Sequence, residues 1–479
     1  MPHEEGGSIV NATSLSDITA DIKECARLYN MELGGSARIF AKFDSELMTG
    51  SIKARPAVHI LHEAIKSGKL RGGQVVIEAT SGNFGIALGR ISRLGLVVVS
   101  LVSRKLQEGV FAELRNGEIK VMDLDMDVCP APGMKGDADA MAAKAAAANI
   151  RSQIAGLGFD TGPFDGAAQE IESLLGKQDV INLAKLLART YGFFCPEQYD
   201  NELNIDAHSA VTAPEIDSQL KGMGTSLGNA DVVCAFGTGG TSGGLSRYAS
   251  AKYGKKTVHV VFPPAGQDVA GIRTKATASG LSMYRPELYA AEHEVDFGKA
   301  RQLLRFLVKR GHDIGESSAL ALYCAMQMAA DGGEFVVIVA DGIAKYKKSL
   351  EEQPRMQVSL QEAAAGGYDR IIWVHAQYTP REEGIKAIAK SLGVDESRIH
   401  VPKASTIAKL LATQQVPDEL QGDLEGSKKP LLVCMAGNTS LMTAKVLAGK
   451  GIMAESLNGG IMELAGSTNP GELIRQATE

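Results

Sequence analysis

Short runs rich in valine and isoleucine alternate with stretches of helical periodicity: Gln74–Ala79, Leu96–Val102, Ile119–Met122, Asp231–Phe236, Val258–Phe262 and Phe335–Ala340. A strand that is apolar at nearly every position has to be covered on both faces. Helices placed between such strands supply that cover and force parallel crossovers, so an α/β protein built on a largely parallel sheet is expected. From Asp123 to about Thr190 the pattern changes to an alanine-rich helical segment, Ala138 to Asn149, and to connections around Gly156, Gly158 and Gly162. This stretch reads as an insertion, either a lid or an added surface helical hairpin. The charged run 347–355 reads as a linker, and a separate unit with strands at Arg370–Val374 and Pro430–Cys434 is expected beyond it, over 356–479.

Composition narrows the class of partner. The 479 residues, 44% hydrophobic and 22% charged, suffice for two or three cores. A formal charge of -6 argues against nucleic acid or an anionic membrane as the main partner and favours a small molecule. Cys25, Cys129, Cys195, Cys234, Cys324 and Cys434 show no paired spacing, so neither a metal site nor a disulfide framework is expected. A reducing, cytoplasmic setting follows from that usage. The first residues carry no leader pattern, and no apolar stretch is long enough to span a bilayer.

Chemistry-bearing residues fall at strand ends and helix starts. Gly50–Arg55 puts Lys53 at the mouth of an amphipathic helix, with Ala57, Ile60, Leu61, Ala64 and Ile65 as its apolar face. A lysine so held loses solvation, which lowers its pKa and suits it to imine formation with a carbonyl. Thr80-Ser-Gly-Asn-Phe-Gly85 follows a strand and opens a helix, offering amides to a carboxylate; a plain capped turn reads equally well. Gly237-Thr-Gly-Gly-Thr241 forms a nest for a phosphate dianion, with Thr238 and Thr241 as hydroxyl donors. It lacks the ending of a nucleotide P-loop and the spacing of a dinucleotide fingerprint, so a smaller phosphate ligand is favoured. Gly315-Glu-Ser-Ser-Ala319 precedes another helix and reads first as a serine cap.

In this order the pieces resemble the fold-type II pyridoxal-phosphate enzymes, in particular the cysteine synthase and cystathionine β-synthase family, from about Asn11 to Tyr346 apart from the insertion. The resemblance implies a two-domain body like the tryptophan synthase β chain, over 1–346, with a smaller subdomain near 50–122. It implies pyridoxal 5'-phosphate as cofactor, carried as a Schiff base on Lys53. Asn83 would hydrogen-bond the pyridoxal oxygen, Gly237, Thr238, Gly239, Gly240 and Thr241 would hold the phosphate, and Ser317 would meet the pyridine nitrogen. Thr80, Ser81, Gly82 and Gln198 match positions around the substrate carboxylate, and Arg273, in Gly271-Ile-Arg273, matches an arginine that helps to bind an anion. A neutral serine at the pyridine nitrogen favours loss of a β leaving group over transamination. Phe84 and Ala319 depart from the family's usual Thr and Gly.

Val433-Cys-Met-Ala-Gly-Asn-Thr-Ser440 and Ser456-Leu-Asn-Gly-Gly-Ile461 are similar to the single-domain rhodanese pattern over about 356–479, with Cys434 matching the persulfide-forming cysteine. Met435 and Thr439 stand where active thiosulfate sulfurtransferases tend to carry Arg. Trp373 and His375 read as packing residues. The combined resemblance implies a transferase that replaces the activated oxygen of O-acetylserine or O-phosphoserine by sulfur, with a small-molecule amino acid and a sulfur donor as partners, as a homodimer. An amine-adding synthase of the same fold and a sulfur-sensing or scaffold protein are the alternatives.

Overall fold

The computed structural model describes residues 12–80, 82–91, 97–102, 108–116, 119–123, 140–177, 179–265, 267–350, 356–374, 382–413, 415–434 and 437–460. The chain divides into two units, 1–351 and 352–479. Among the described residues no helix is long and apolar enough to cross a membrane, and no group of side chains could hold a metal ion.

Among its described residues the first unit contains two sheets. The larger has strands β1 (Leu15–Asp17), β2 (Arg38–Phe43), β6 (Asp231–Ala235), β7 (Val258–Phe262), β8 (Ala291–Glu294) and β9 (Glu334–Val339), in the order β1-β2-β9-β6-β7-β8. Only β1 runs antiparallel to its neighbour. Alternate residues feed two cores: Val232, Cys234, Val336 and Ile338 on one face, Val233, Val337 and Val339 on the other. This two-sided burial is what the apolar runs require. The smaller sheet, β3 (Val75–Ala79), β4 (Val97–Val102) and β5 (Ile119–Asp123), is parallel throughout.

The alanine-rich segment is not a surface hairpin. Its described part forms helices Ala140–Gly156, Gly162–Gly166, Ala168–Gly176 and Val180–Tyr191. Ala143, Ala146, Ala147, Ile150 and Ile154 make one helix face and join a single core with Ile77, Val99 and Leu101 of the small sheet. The alanines leave room for close approach, so this segment is structural cover for that sheet.

The second unit is a five-stranded parallel sheet of β10 (Gln357–Val358), β11 (Arg370–Trp373), β12 (Ile399–His400), β13 (Pro430–Val433) and β14 (Glu455–Leu457), ordered β10-β14-β13-β11-β12. Trp373 is buried in its core as expected, whereas His375 lies outside the described residues.

Candidate active site

Lys53 is set by the carboxyl end of β9, a central strand of the large sheet. The chain just before it bridges Ser51 to Asp341, and the Ile52 amide donates to the Ala340 carbonyl (2.7 Å), fixing where helix Ala54–Lys66 begins. Ala57, Ile60, Leu61 and Ala64 bury the helix as expected. Ile65 does not: it is 55% exposed, because in the last turn Leu70 folds back, donates its amide to the Ala64 carbonyl and fills the core position. The Lys53 ammonium donates to the Thr238 hydroxyl (3.4 Å). Burial and the charge of Arg273 lower its pKa to about 8, against an opposing pull from Glu78.

The turn after β3 is held by Thr80, whose hydroxyl oxygen accepts the amides of Gly82 (3.1 Å) and Gly85 (3.2 Å). Gly82 sits at φ 132°, a backbone conformation that disfavours side chains. The turn delivers Asn83 to the first residue of helix Asn83–Ile91. Its carboxamide donates to Asp341 Oδ2 (2.6 Å) and accepts from the Lys345 ammonium, while the Tyr346 hydroxyl donates to the same Asp341 oxygen (2.5 Å).

Gly237–Thr241 leaves the carboxyl end of β6 and enters helix Gly240–Tyr253. A Cβ at Gly239, at φ 95°, would lie 2.6 Å from the Met283 carbonyl oxygen, and one at Gly240 would lie 2.0 Å from Asn204 Oδ1. The glycines are therefore required by close approach. Ser317 lies in the first turn of helix Glu316–Met328.

A single cavity is lined by Lys53, Thr80, Asn83, Gln198, Gly237, Thr238, Gly239, Thr241 and Ser317, with Phe84, Tyr199 and Tyr346. Gly82 and Gly240 shape its walls without lining it. Arg273 does not line it either: its guanidinium lies over the Tyr199 ring (5.4 Å), where its charge acts on Lys53 from behind the wall. Ser81 and Met435 lie outside the described residues, and Cys434 belongs to the second unit.

Several residues here carry no motif. Glu78 is buried on β3, and burial pushes its carboxyl up to about 8 against the hydrogen bonds it accepts from the amides of Gln198 and Ala79. Asn204 donates to the Gln198 carbonyl (2.8 Å) and the Thr238 hydroxyl (3.1 Å), tying the two walls together. A lone acid in an apolar strand was the one signal for Glu78.

The family model for "Pyridoxal-phosphate dependent enzyme" matches residues 23–342, two thirds of the chain and the whole of this cavity except Tyr346. The chain belongs to that family. Its cofactor is pyridoxal phosphate. Among relatives of this pyridoxal-phosphate enzyme, a cysteine synthase of Staphylococcus aureus (strain Mu50 / ATCC 700699) is 24% identical over 323 residues, 65% of this chain and 87% of the relative. Cysteine synthase B of Escherichia coli (strain K12) is 26% identical over 314 residues, 65% and 86% of the two chains. The crystal structure of O-acetylserine dependent cystathionine beta-synthase from Helicobacter pylori matches with a TM-score of 0.52 at 20% identity, covering 71% of this chain and 95% of that one.

The cavity fits the cofactor. An aldehyde needs an amine of depressed pKa, and Lys53 is one; a phosphate needs amides at a helix start, and Gly237 and Gly239 allow that tight turn by packing against the Gly271 and Met283 carbonyls, where a Cβ would collide. Gly239→Ala is expected to weaken binding of pyridoxal phosphate to the apoenzyme about tenfold or more, the order of one charge-assisted hydrogen bond, while binding of pyridoxal, which lacks the phosphate, changes little. Fluorescence titration of both ligands checks this; equal losses for the two would place the phosphate elsewhere.

Proposed function

We propose that this cavity carries out β-replacement on an O-activated L-serine with a sulfur nucleophile, giving L-cysteine or an S-substituted cysteine. The observation that carries the reading is that the Lys53 amine and the Gly237–Thr241 turn line one cavity, 3.4 Å apart at Lys53 Nζ and Thr238 Oγ1. When bound, the cofactor supplies an electron sink for charge at the substrate's α-carbon. Lys53 would hold the cofactor through its amine, and that amine, when free, is placed to take the substrate's α-proton at Nζ. Burial favours that task, since an amine with a pKa of about 8 is partly neutral at physiological pH. The glycine turn and Thr241 would hold its phosphate, Asn83 would hydrogen-bond its ring oxygen, and Ser317 would meet its ring nitrogen as a neutral hydroxyl. Thr80 already accepts two amides, so its hydroxyl proton remains for the substrate carboxylate.

Purified protein titrated with O-acetylserine and O-phosphoserine, then with sulfide, thiosulfate and glutamate, tests this reading. Spectral change with a serine ester, reversed by sulfide with formation of cysteine, supports it. Reversal by glutamate alone would transfer the assignment to an amine-adding synthase, and no response to either ester would remove it.

The second unit is proposed as a rhodanese-like sulfur donor. In its sheet, the connections of the adjacent strands β11 and β13 lead off in opposite directions, and Cys434 follows β13 at that carboxyl-end crevice, where α/β sheets bind ligands. Its sulfur accepts the Ser440 amide and hydroxyl (both 3.3 Å), and Ser456 donates to that hydroxyl (2.8 Å). Cys434→Ser is expected to retain activity with free sulfide and to lose most of its activity with a sulfane-sulfur donor. Equal activity of the variant with both would end the delivery role.

A further inference from the structure

His208 is a buried side chain that the proposed chemistry does not use. It opens one turn of π-helix, His208–Thr212, at the point where Pro214 lacks the N–H and crowds the carbonyl that a regular helix would pair. Helix Gly240–Tyr253 packs directly on this turn: a Cβ on Gly244 would lie 2.5 Å from the His208 Cβ and 2.6 Å from the Ile205 carbonyl oxygen. That approach brings His208 Nε2 to 3.3 Å from the Thr241 hydroxyl, while Nδ1 lies 3.0 Å from the Thr212 hydroxyl. Thr241 lines the cavity; His208 does not.

Burial, with the nearby charges of Arg55 and Lys53, keeps the ring neutral, its pKa well below the ordinary value. A neutral imidazole has one donor and one acceptor nitrogen, so two tautomers are open to it. If Nδ1 carries the proton, Nε2 takes the Thr241 proton and the hydroxyl turns a lone pair toward the cavity, repelling an anion. If Nε2 carries it, Thr212 donates to Nδ1, Nε2–H donates to Thr241, and the Thr241 proton is free to point at a phosphate.

We propose that His208 is a positioning residue that holds Thr241 as a hydrogen-bond donor to the cofactor phosphate, through a one-way chain from Thr212 through His208 to Thr241. This rests on the reading of Gly237–Thr241 as the phosphate site. The fold makes the chain specific. The widened turn sets His208 and Thr212 four residues apart on one face, and the glycine side of the opposing helix lets the ring reach its second residue.

The test is a double-mutant cycle on cofactor affinity, read by fluorescence titration of the apoenzyme with pyridoxal phosphate and with pyridoxal. His208→Phe and Thr241→Val are each expected to raise the dissociation constant for pyridoxal phosphate about tenfold, the order of one hydrogen bond to a charged group. Neither should alter pyridoxal binding, and the double variant should lose no more than either single one. Losses that add, or that fall equally on pyridoxal, would overturn the proposal by making His208 a packing residue. The wild-type holoenzyme gives a check free of folding effects: ¹⁵N resonances of labelled histidine should show His208, assigned by its shift in Thr241→Val, protonated at Nε2. Protonation at Nδ1 would overturn it. A wild type that binds pyridoxal phosphate no better than pyridoxal would remove the phosphate-site reading and this proposal together.

Discussion

Lys53→Ala is expected to lower turnover at least about 10³-fold, the scale of losing a general base together with its nucleophilic role. The variant should still bind pyridoxal phosphate, because the glycine turn is untouched, but without the absorbance of cofactor held through its aldehyde carbon. The wild-type amine sets the pH course of loading. Burial, assisted by Arg273, brings its pKa from 10.5 to about 8, and only the neutral amine attacks a carbonyl. Capture of the cofactor by the apoenzyme should therefore accelerate as pH rises through about 8 and level off above it, as stopped-flow absorbance would record. A pH-independent rate, or a Lys53→Ala variant with wild-type absorbance, would mean that another lysine holds the cofactor.

The residues that were legible in the sequence are those whose backbone had to be special. Gly239, at positive φ and against the Met283 carbonyl, stands in a motif because a side chain would collide there, and Lys53 was legible from its place at the start of an amphipathic helix. The strands buried on both faces were equally plain. β2 was missed because Arg38 and Lys42 interrupt its apolar run, yet Lys42 is fully buried against Glu215. β8, Ala-Glu-His-Glu, is a half-buried edge strand and carries no hydrophobic signal at all. Glu78, Asn204 and His208 act across distances of 33 to 120 residues in sequence, through hydrogen bonds that only the fold brings about. The alanine helix was misjudged for a related reason: small side chains give little periodic contrast even when a whole face is buried.

Arg55, two residues beyond Lys53, anchors the same helix start from the other side. Its guanidinium donates twice to Asp44, from Nε and Nη2 (both 2.8 Å), and twice to Glu215, from Nη1 (2.9 Å) and Nη2 (3.2 Å). Lys42 also donates to Glu215, and the Thr13 hydroxyl donates to Asp44 (2.7 Å). Two cations face two carboxylates, all but Glu215 almost wholly enclosed. Arg55→Ala leaves that group with one uncompensated negative charge and two carboxylates short of donors, and is expected to cost about 3–5 kcal/mol of stability. Denaturant unfolding at neutral pH should show the midpoint fall with little change in slope. Burial alone would raise the Glu215 pKa, but hydrogen bonds from Arg55 and Lys42 hold it at about 2, below its ordinary 4.5. A depressed carboxylate stabilises the fold above its unfolded pKa, so this contribution is complete above about pH 4.5 and disappears as pH falls toward 2. Arg55→Ala should remove much of that acid-side slope as well, since only Lys42 and the Thr13 donors then remain to hold the carboxylate. A variant that unfolds at the wild-type midpoint would show that the network is dispensable and that the lysine's position is set by the Ser51–Asp341 bridge alone.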